Sequence, residues 1–195
     1  MKSLLHSLAC IAAGYTLRGR VEHVPDGALA LVQLKDVNPV LGLNSTELAR
    51  IHPVIKREPD YLRPGDILFV NRGLRFFGVL LEHPLEHAVA APHFFVVRPT
   101  REMILPAYLA WFLNHKRAQR YFSQGAAGTA LPHITTKTLG ELPVDLPDRK
   151  TQQAIAGAHA CLLAERKLSE ELLEKRQGLV TEMLDRALHG ATPQE

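Results

Sequence analysis

From Thr151 to about Leu188 the chain runs without a proline, directly after Pro143 and Pro147 have set its direction. Those 38 residues, if helical, would extend about 57 Å at 1.5 Å each. Apolar residues recur at Ile155, Ala158, Leu162, Leu172, Leu179 and Met183, at successive spacings of 3, 4, 10, 7 and 4 that keep one heptad register. Leu163, Leu173, Val180 and Leu184 widen the stripe beyond a narrow seam, while Glu165, Ser169 and Arg176 interrupt it. Gly178 marks a kink or a close crossing. The preceding 150 residues cannot cover such a stripe, so it requires a partner helix from a second copy or another protein. The expected organisation is a globular domain over 1–150, a helix over 151–190 and a flexible tail over 191–195.

Charge divides along the same line. Residues 1–150 carry 18 Lys and Arg against 13 Asp and Glu, and residues 151–195 carry 5 against 7. A basic body suits a polyanionic partner, although many soluble proteins carry a similar excess without one. The 46% hydrophobic content is enough for a core and argues against disorder. Cys10 and Cys161 lie far apart without a CxxC partner, which suggests neither a zinc site nor a disulfide and fits a reducing cytoplasm. The opening "MKSLLHSLACIAAGYT" imitates a secretory signal, but His6 and Ser7 interrupt its short apolar run.

Within the body, Leu4–Ile11 reads as a short helix or strand and Ala28–Val37 as a strand ended by Asn38-Pro39. Pro64-Gly65 forms a turn before a buried strand, Ile67–Val70. Asn71-Arg72-Gly73 turns the chain into a second strand over Phe76–Glu82, and Ala88–Pro99 supplies a third, suggesting an antiparallel meander. Pro106 opens a helix that Gly125 ends, with Lys116, Arg117 and Arg120 read as favourable charge near its C-terminus. Residues 125–130 are nearly all small, so backbone there can approach another surface closely. The stretch "PHITTKTLGELPVDLP" has a strand-like rhythm.

Enzyme signatures are missing: no GxGxxG, Walker loop, HExxH or GxSxG is present. His83, His87 and His93 form a possible metal set, yet Pro84 keeps His83 and His87 off a shared helix face, and surface or partly buried imidazoles are the default reading.

Taken in order, "YLRPGDILFVNRG", "AVAAPHFFVVRP", "LPAYLAWFLNHKRAQRYF", "GTALPHITTKTLGELPVDLP" and "QQAIAG" resemble the specificity subunit of type I restriction–modification systems, from about Leu8 to Met183. The ordered set carries the resemblance; each piece alone is weak. The resemblance implies an α+β fold: a globular target recognition domain, with a curved antiparallel-rich sheet and short helices, followed by one long C-terminal coiled-coil-type helix. A usual subunit of that family carries two such units in tandem, with paired helices acting as a ruler between half-sites in double-stranded DNA. It recruits modification subunits that methylate adenine with S-adenosylmethionine, which this chain would not bind itself, and restriction subunits can join. This sequence holds one unit, so the implied form is half-length, non-catalytic and paired as a homodimer on a palindrome with a spacer.

Chemistry rather than resemblance nominates the DNA-contacting residues. Arg72 and Arg75 flank a turn and suit guanine edges or phosphates. Thr129, His133, Thr135, Thr136 and Lys137 offer short donors with one cation, and Arg18 and Arg20 are further candidates. Ordinary strand propensity also explains Thr135 and Thr136, and solvated turns also suit arginine. The pairing candidates are Ile155, Leu162, Leu172, Leu179 and Met183. The alternative is a degenerate subunit, a coiled-coil interaction or decoy protein that no longer reads DNA.

Overall fold

Two four-residue runs without a polar side chain, Ile67–Val70 and Phe94–Val97, lie side by side at the centre of the structure. The computed structural model describes residues 1–17, 24–53, 60–100, 102–127 and 131–190. In chain order these form β1 (Lys2–Leu4), β2 (Ala9–Ala13), β3 (Leu29–Val32), β4 (Val37–Asn38), β5 (Gly42–Leu43), β6 (Ala49–Ile51), β7 (Ile67–Val70), β8 (Gly78–Leu80), β9 (Ala88–Ala90) and β10 (Phe94–Pro99). Then come α1 (Pro106–Asn114), α2 (Lys116–Gly125), α3 (Thr136–Gly140), β11 (Pro143–Asp145) and α4 (Arg149–Gly190).

The central antiparallel sheet has the order β2-β10-β7-β8. Successive side chains of a strand point to opposite faces. Ile67, Phe69, Phe95 and Val97 therefore enter one core, with Leu109, Phe112 and Phe122 of the helices. Leu68, Val70, Phe94 and Val96 enter a second core beneath a smaller sheet, β6-β3-β9. Both faces are covered, so the strands read as unbroken apolar runs rather than alternating ones.

Several segments depart from their sequence-based reading. Ala28–Val37 is not one strand: β3 stops at Val32, and the Asp36 carboxylate accepts the Gln33 N–H at 2.8 Å to close a single helical turn before β4. Phe76–Glu82 narrows to Gly78–Leu80. Ala88–Pro99 divides at Ala91–His93 into β9 and β10, which belong to different sheets, and β9 runs parallel to β3, an exception to the antiparallel meander. The helix from Pro106 breaks at His115, whose extended backbone (ψ 149°) ends α1. Its Nδ1 accepts the Arg117 N–H at 3.4 Å to cap α2. Lys116 and Arg117 thus open a helix rather than close one. Positive charge is disfavoured there, and an ion pair from Arg117 to Asp145 offsets it. In "PHITTKTLGELPVDLP" only Pro143–Asp145 is a strand, paired with β1; the Thr135 hydroxyl accepts the Thr138 N–H at 3.0 Å and starts α3.

The long helix starts two residues before Thr151 and runs unbroken through Gly178 to Gly190. Pro147 cannot continue a helix from the strand side, and the Asp148 carboxylate caps the first turn by accepting the Thr151 N–H at 2.8 Å. Gln152 then ties the helix to the domain. It is 1% exposed; its Oε1 accepts the Leu105 N–H (2.9 Å), and its Nε2 donates to the carbonyls of Met103 (2.8 Å) and Pro147 (3.0 Å). Ile155 packs on the first core one turn later. Beyond Leu163 every described side chain of the helix is exposed.

Candidate nucleic-acid interface and helix stripe

The sequence motifs that are easiest to read turn out to hold the frame. In "PGDIL", Asp66 is 1% exposed and grips Arg98 of β10 through two hydrogen bonds, Nε at 2.7 Å and Nη2 at 2.8 Å, while also accepting the Arg63 N–H. In "YLAWFLN", the buried Tyr108 hydroxyl donates to the Asp145 carbonyl at 2.8 Å. The Asn114 amide pairs with both backbone groups of Gly78, accepting its N–H at 3.0 Å and donating to its carbonyl at 2.7 Å. A side-chain amide thus copies a strand partner and fastens α1 to β8. Buried and half-buried groups with these partners are rigid, which is what a surface needs if loops mounted on it are to keep a fixed geometry.

One such mount joins residues far apart in sequence. The turn after β7 pairs with the segment before α3: the Ile134 N–H donates to the Asn71 carbonyl (2.8 Å), and the Gly73 N–H to the Pro132 carbonyl (3.0 Å). Arg72 and His133 form an antiparallel bridge, and His133 bridges Ala127 on its other side, with mutual backbone hydrogen bonds of 2.9 and 3.0 Å. Ile134, 2% exposed, roots this small platform in the first core. Gly73 adopts φ +123°, a region that side chains resist, and this allows the turn to present Arg72, Leu74 and Arg75 outward. Both arginines are exposed, and among the described residues neither has a carboxylate partner. Leu74 between them is 92% exposed.

Of the nominated residues, the structure brings Arg72 and His133 into direct pairing and sets Arg75 on the same turn. Thr135 is committed to capping α3. Thr136 and Lys137 are exposed on α3, which packs by the first turn of the chain near His6, and Lys137 lies 3.9 Å from Glu141. Arg18, Arg20 and Thr129 lie outside the described residues. Among the described residues no cluster of His, Cys, Asp and Glu could hold a metal ion. Sequence reasoning misses Gln152 and the Asp66–Arg98 pair, although Gln152 stands within "QQAIAG"; a polar residue beside the start of a helix gives no sign of being buried.

On α4 the pairing candidates separate. Ile155 belongs to the junction, packed on the domain. Leu162, Leu172, Leu179 and Met183 are 43, 50, 59 and 62% exposed, and Leu168, Leu173, Val180, Leu184 and Leu188 extend the apolar surface. An apolar face of this length on a projecting helix, broken at Lys175–Gln177, marks an interaction surface.

No protein-family model matches the chain. In sequence it is 25% identical over 114 residues to the specificity subunit of the type I restriction enzyme HindI from Haemophilus influenzae, a match that covers 56% of this chain and 24% of that one. In fold it superposes on the S subunit of the type I restriction–modification system from M. genitalium with a TM-score of 0.64 at 16% identity, covering 95% of this chain and 45% of that one. The HsdS subunit from Thermoanaerobacter tengcongensis gives a TM-score of 0.64 at 17% identity, covering 100% and 50%. This is the type I specificity-subunit fold. The α+β expectation with its long C-terminal helix holds, and the chain spans about half the length of the specificity subunits whose structures it matches. In this fold Asp66–Leu68 of "PGDIL" and most of "YLAWFLN" lie buried, whereas Arg72 and Arg75 of the platform are exposed and His133 is half-buried.

Proposed function

We propose that this chain is a non-catalytic specificity subunit of a type I adenine-methylating restriction–modification complex, and that it reads half of a bipartite site in double-stranded DNA. Arg72, Arg75 and His133 on the rigid platform are the leading contacts, with the arginines on phosphates or guanine edges. Modification subunits would supply S-adenosylmethionine and the methyl transfer, and a restriction subunit could join the same assembly. The observation that carries the reading is a basic platform mounted on the same frame as a helix with an uncovered apolar stripe.

A second copy of the chain is the occupant that fits this stripe. Its two dense halves, Leu168–Leu173 and Leu179–Leu184, flank a polar break at Lys175–Gln177. An antiparallel pair with its two-fold axis at that break sets each half against the other, apolar on apolar, and places Leu188 opposite Leu162 and Leu163. The two globular domains then sit at opposite ends of the pair, as a split palindromic site requires.

The deciding experiment is co-expression with a modification subunit in a host lacking background adenine methylation, followed by genome-wide mapping of methylated adenines. A two-part palindromic motif is the expected result. No new methylation by an assembled complex would refute the reading and leave the degenerate, DNA-blind form.

A further inference from the structure

Beside the base of α4 lies an apolar cleft of about 300 Å³, bounded on one side by the β4–β5 hairpin and on the other by the helix. Val40 and Leu41 line it from the hairpin, Ala107 and Ala110 from α1, and His159 and Leu163 from α4. The alanines let a foreign backbone come close, and Leu41 is 43% exposed at the rim. Burial holds the His159 imidazole below its ordinary range, with Arg166 adding to the effect, and the charged side chains of the lining are Glu82 and Lys167.

The distal end of the same helix carries a matching feature. Leu184 and Leu188 stray from the centre of the stripe to one flank and are 65 and 73% exposed. They repeat the positions of His159 and Leu163 after 25 residues, close to seven turns at about 3.6 residues per turn, so both pairs lie on one side of the helix. A two-fold axis perpendicular to the plane of two antiparallel helices keeps that side in common. The flank carrying Leu184 and Leu188 in one copy therefore faces the side on which the other copy carries its domain and cleft. The register that sets Leu188 opposite Leu163 brings the two to the same level.

We infer that the cleft between the Asn38–Gly42 hairpin and α4 receives Leu184 and Leu188 from the helix end of a second copy, so that each recognition domain is held by its partner's helix as well as its own. The inference rests on the antiparallel pairing proposed above and goes beyond it: the angle of each domain is set by contacts from both chains. A parallel pair would carry Leu188 to the end remote from both clefts and leave it uncovered.

The test is disulfide trapping in the full-length chain with Cys10→Ser and Cys161→Ser, since both native thiols are exposed. Leu41→Cys combined with Leu188→Cys should yield a covalent dimer on mild oxidation, as should a mixture of the two single variants. Both positions are exposed in the single chain, so folding is not at stake. Leu172→Cys with Leu179→Cys reports the seam itself, and Leu168→Cys alone reports parallel pairing. Trapping at the seam without trapping between 41 and 188 would overturn the cleft contact and leave the dimer standing. A chain that stays monomeric in sedimentation, or Leu168→Cys trapping with itself, would overturn both. As an independent readout, Leu188→Asp should raise the dimer dissociation constant at least about tenfold, and Leu188→Met should leave it near the native value. An unchanged constant in Leu188→Asp would likewise refute the contact.

Discussion

Replacing Gln152 with methionine keeps the length of the side chain and removes its three side-chain hydrogen bonds at the junction. The Leu105 N–H loses its acceptor, and the Met103 and Pro147 carbonyls lose their shared donor. A buried donor without a partner costs about 1–3 kcal/mol. The two carbonyls lie on partly exposed segments and recover part of their hydrogen bonding from water, so they add at the low end of that range. The sum is roughly 2–4 kcal/mol, which for a chain of this size lowers Tm by roughly 5–15 °C. The assay is thermal unfolding of the full chain followed by circular dichroism, with Gln153→Met as the control, since Gln153 is exposed and its replacement should stay within about 0.5 kcal/mol. A Gln152→Met Tm within about 2 °C of the native value would refute the assignment of the junction to this side chain. The same contacts decide where the chain tolerates truncation: a cut before Thr151 removes Gln152 and Ile155 and exposes core, whereas a cut after Lys167 leaves the junction intact.

Three further outcomes follow from the geometry. Arg72→Ala and Arg75→Ala should each weaken duplex binding and reduce the slope of log affinity against log salt by about one if they contact phosphate, measured by fluorescence anisotropy across salt; an unchanged slope with relaxed specificity would assign them to bases instead. Arg98→Met should destabilise the chain by about 3–5 kcal/mol in chemical unfolding because it leaves the buried Asp66 carboxylate without its guanidinium, and adding Asp66→Asn should recover part of the loss. Burial, with Lys116 and Arg117 nearby, holds the His115 imidazole below its ordinary value of 6.5 despite Asp145. The folded chain then binds fewer protons than the unfolded one below that value, so this contribution to stability is complete above about pH 6.5 and falls as the pH drops toward the lowered folded value. Protonation also removes the acceptor that caps α2. His115→Asn keeps a capping oxygen, so its Tm should change less between pH 7.5 and 5.5 than that of the native chain.

Local chemistry is enough to read the elements whose cause is local. A proline-free run after Pro147 makes the long helix, Pro64-Gly65 makes the turn, and the unbroken apolar runs at Ile67 and Phe94 make the central strands. The uncovered stripe is legible as well, because a 3.6-residue period is written into the order of residues. What the sequence does not show is whatever depends on residues meeting from a distance. Lys116 and Arg117 look like the end of a helix and become the start of one, because His115 gives its imidazole to the next turn and Asp145 comes from 28 residues away. Thr135 reads as part of a strand and caps α3. Arg72 and His133, 61 positions apart, become neighbours only through a bridge that Ile134 anchors in the core. Gln152 is a clamp because the loop before α1 folds over it. Periodicity and turn chemistry act over a few residues, so sequence alone determines them; pairing, burial and the placement of charge are products of packing, and only the tertiary structure decides them.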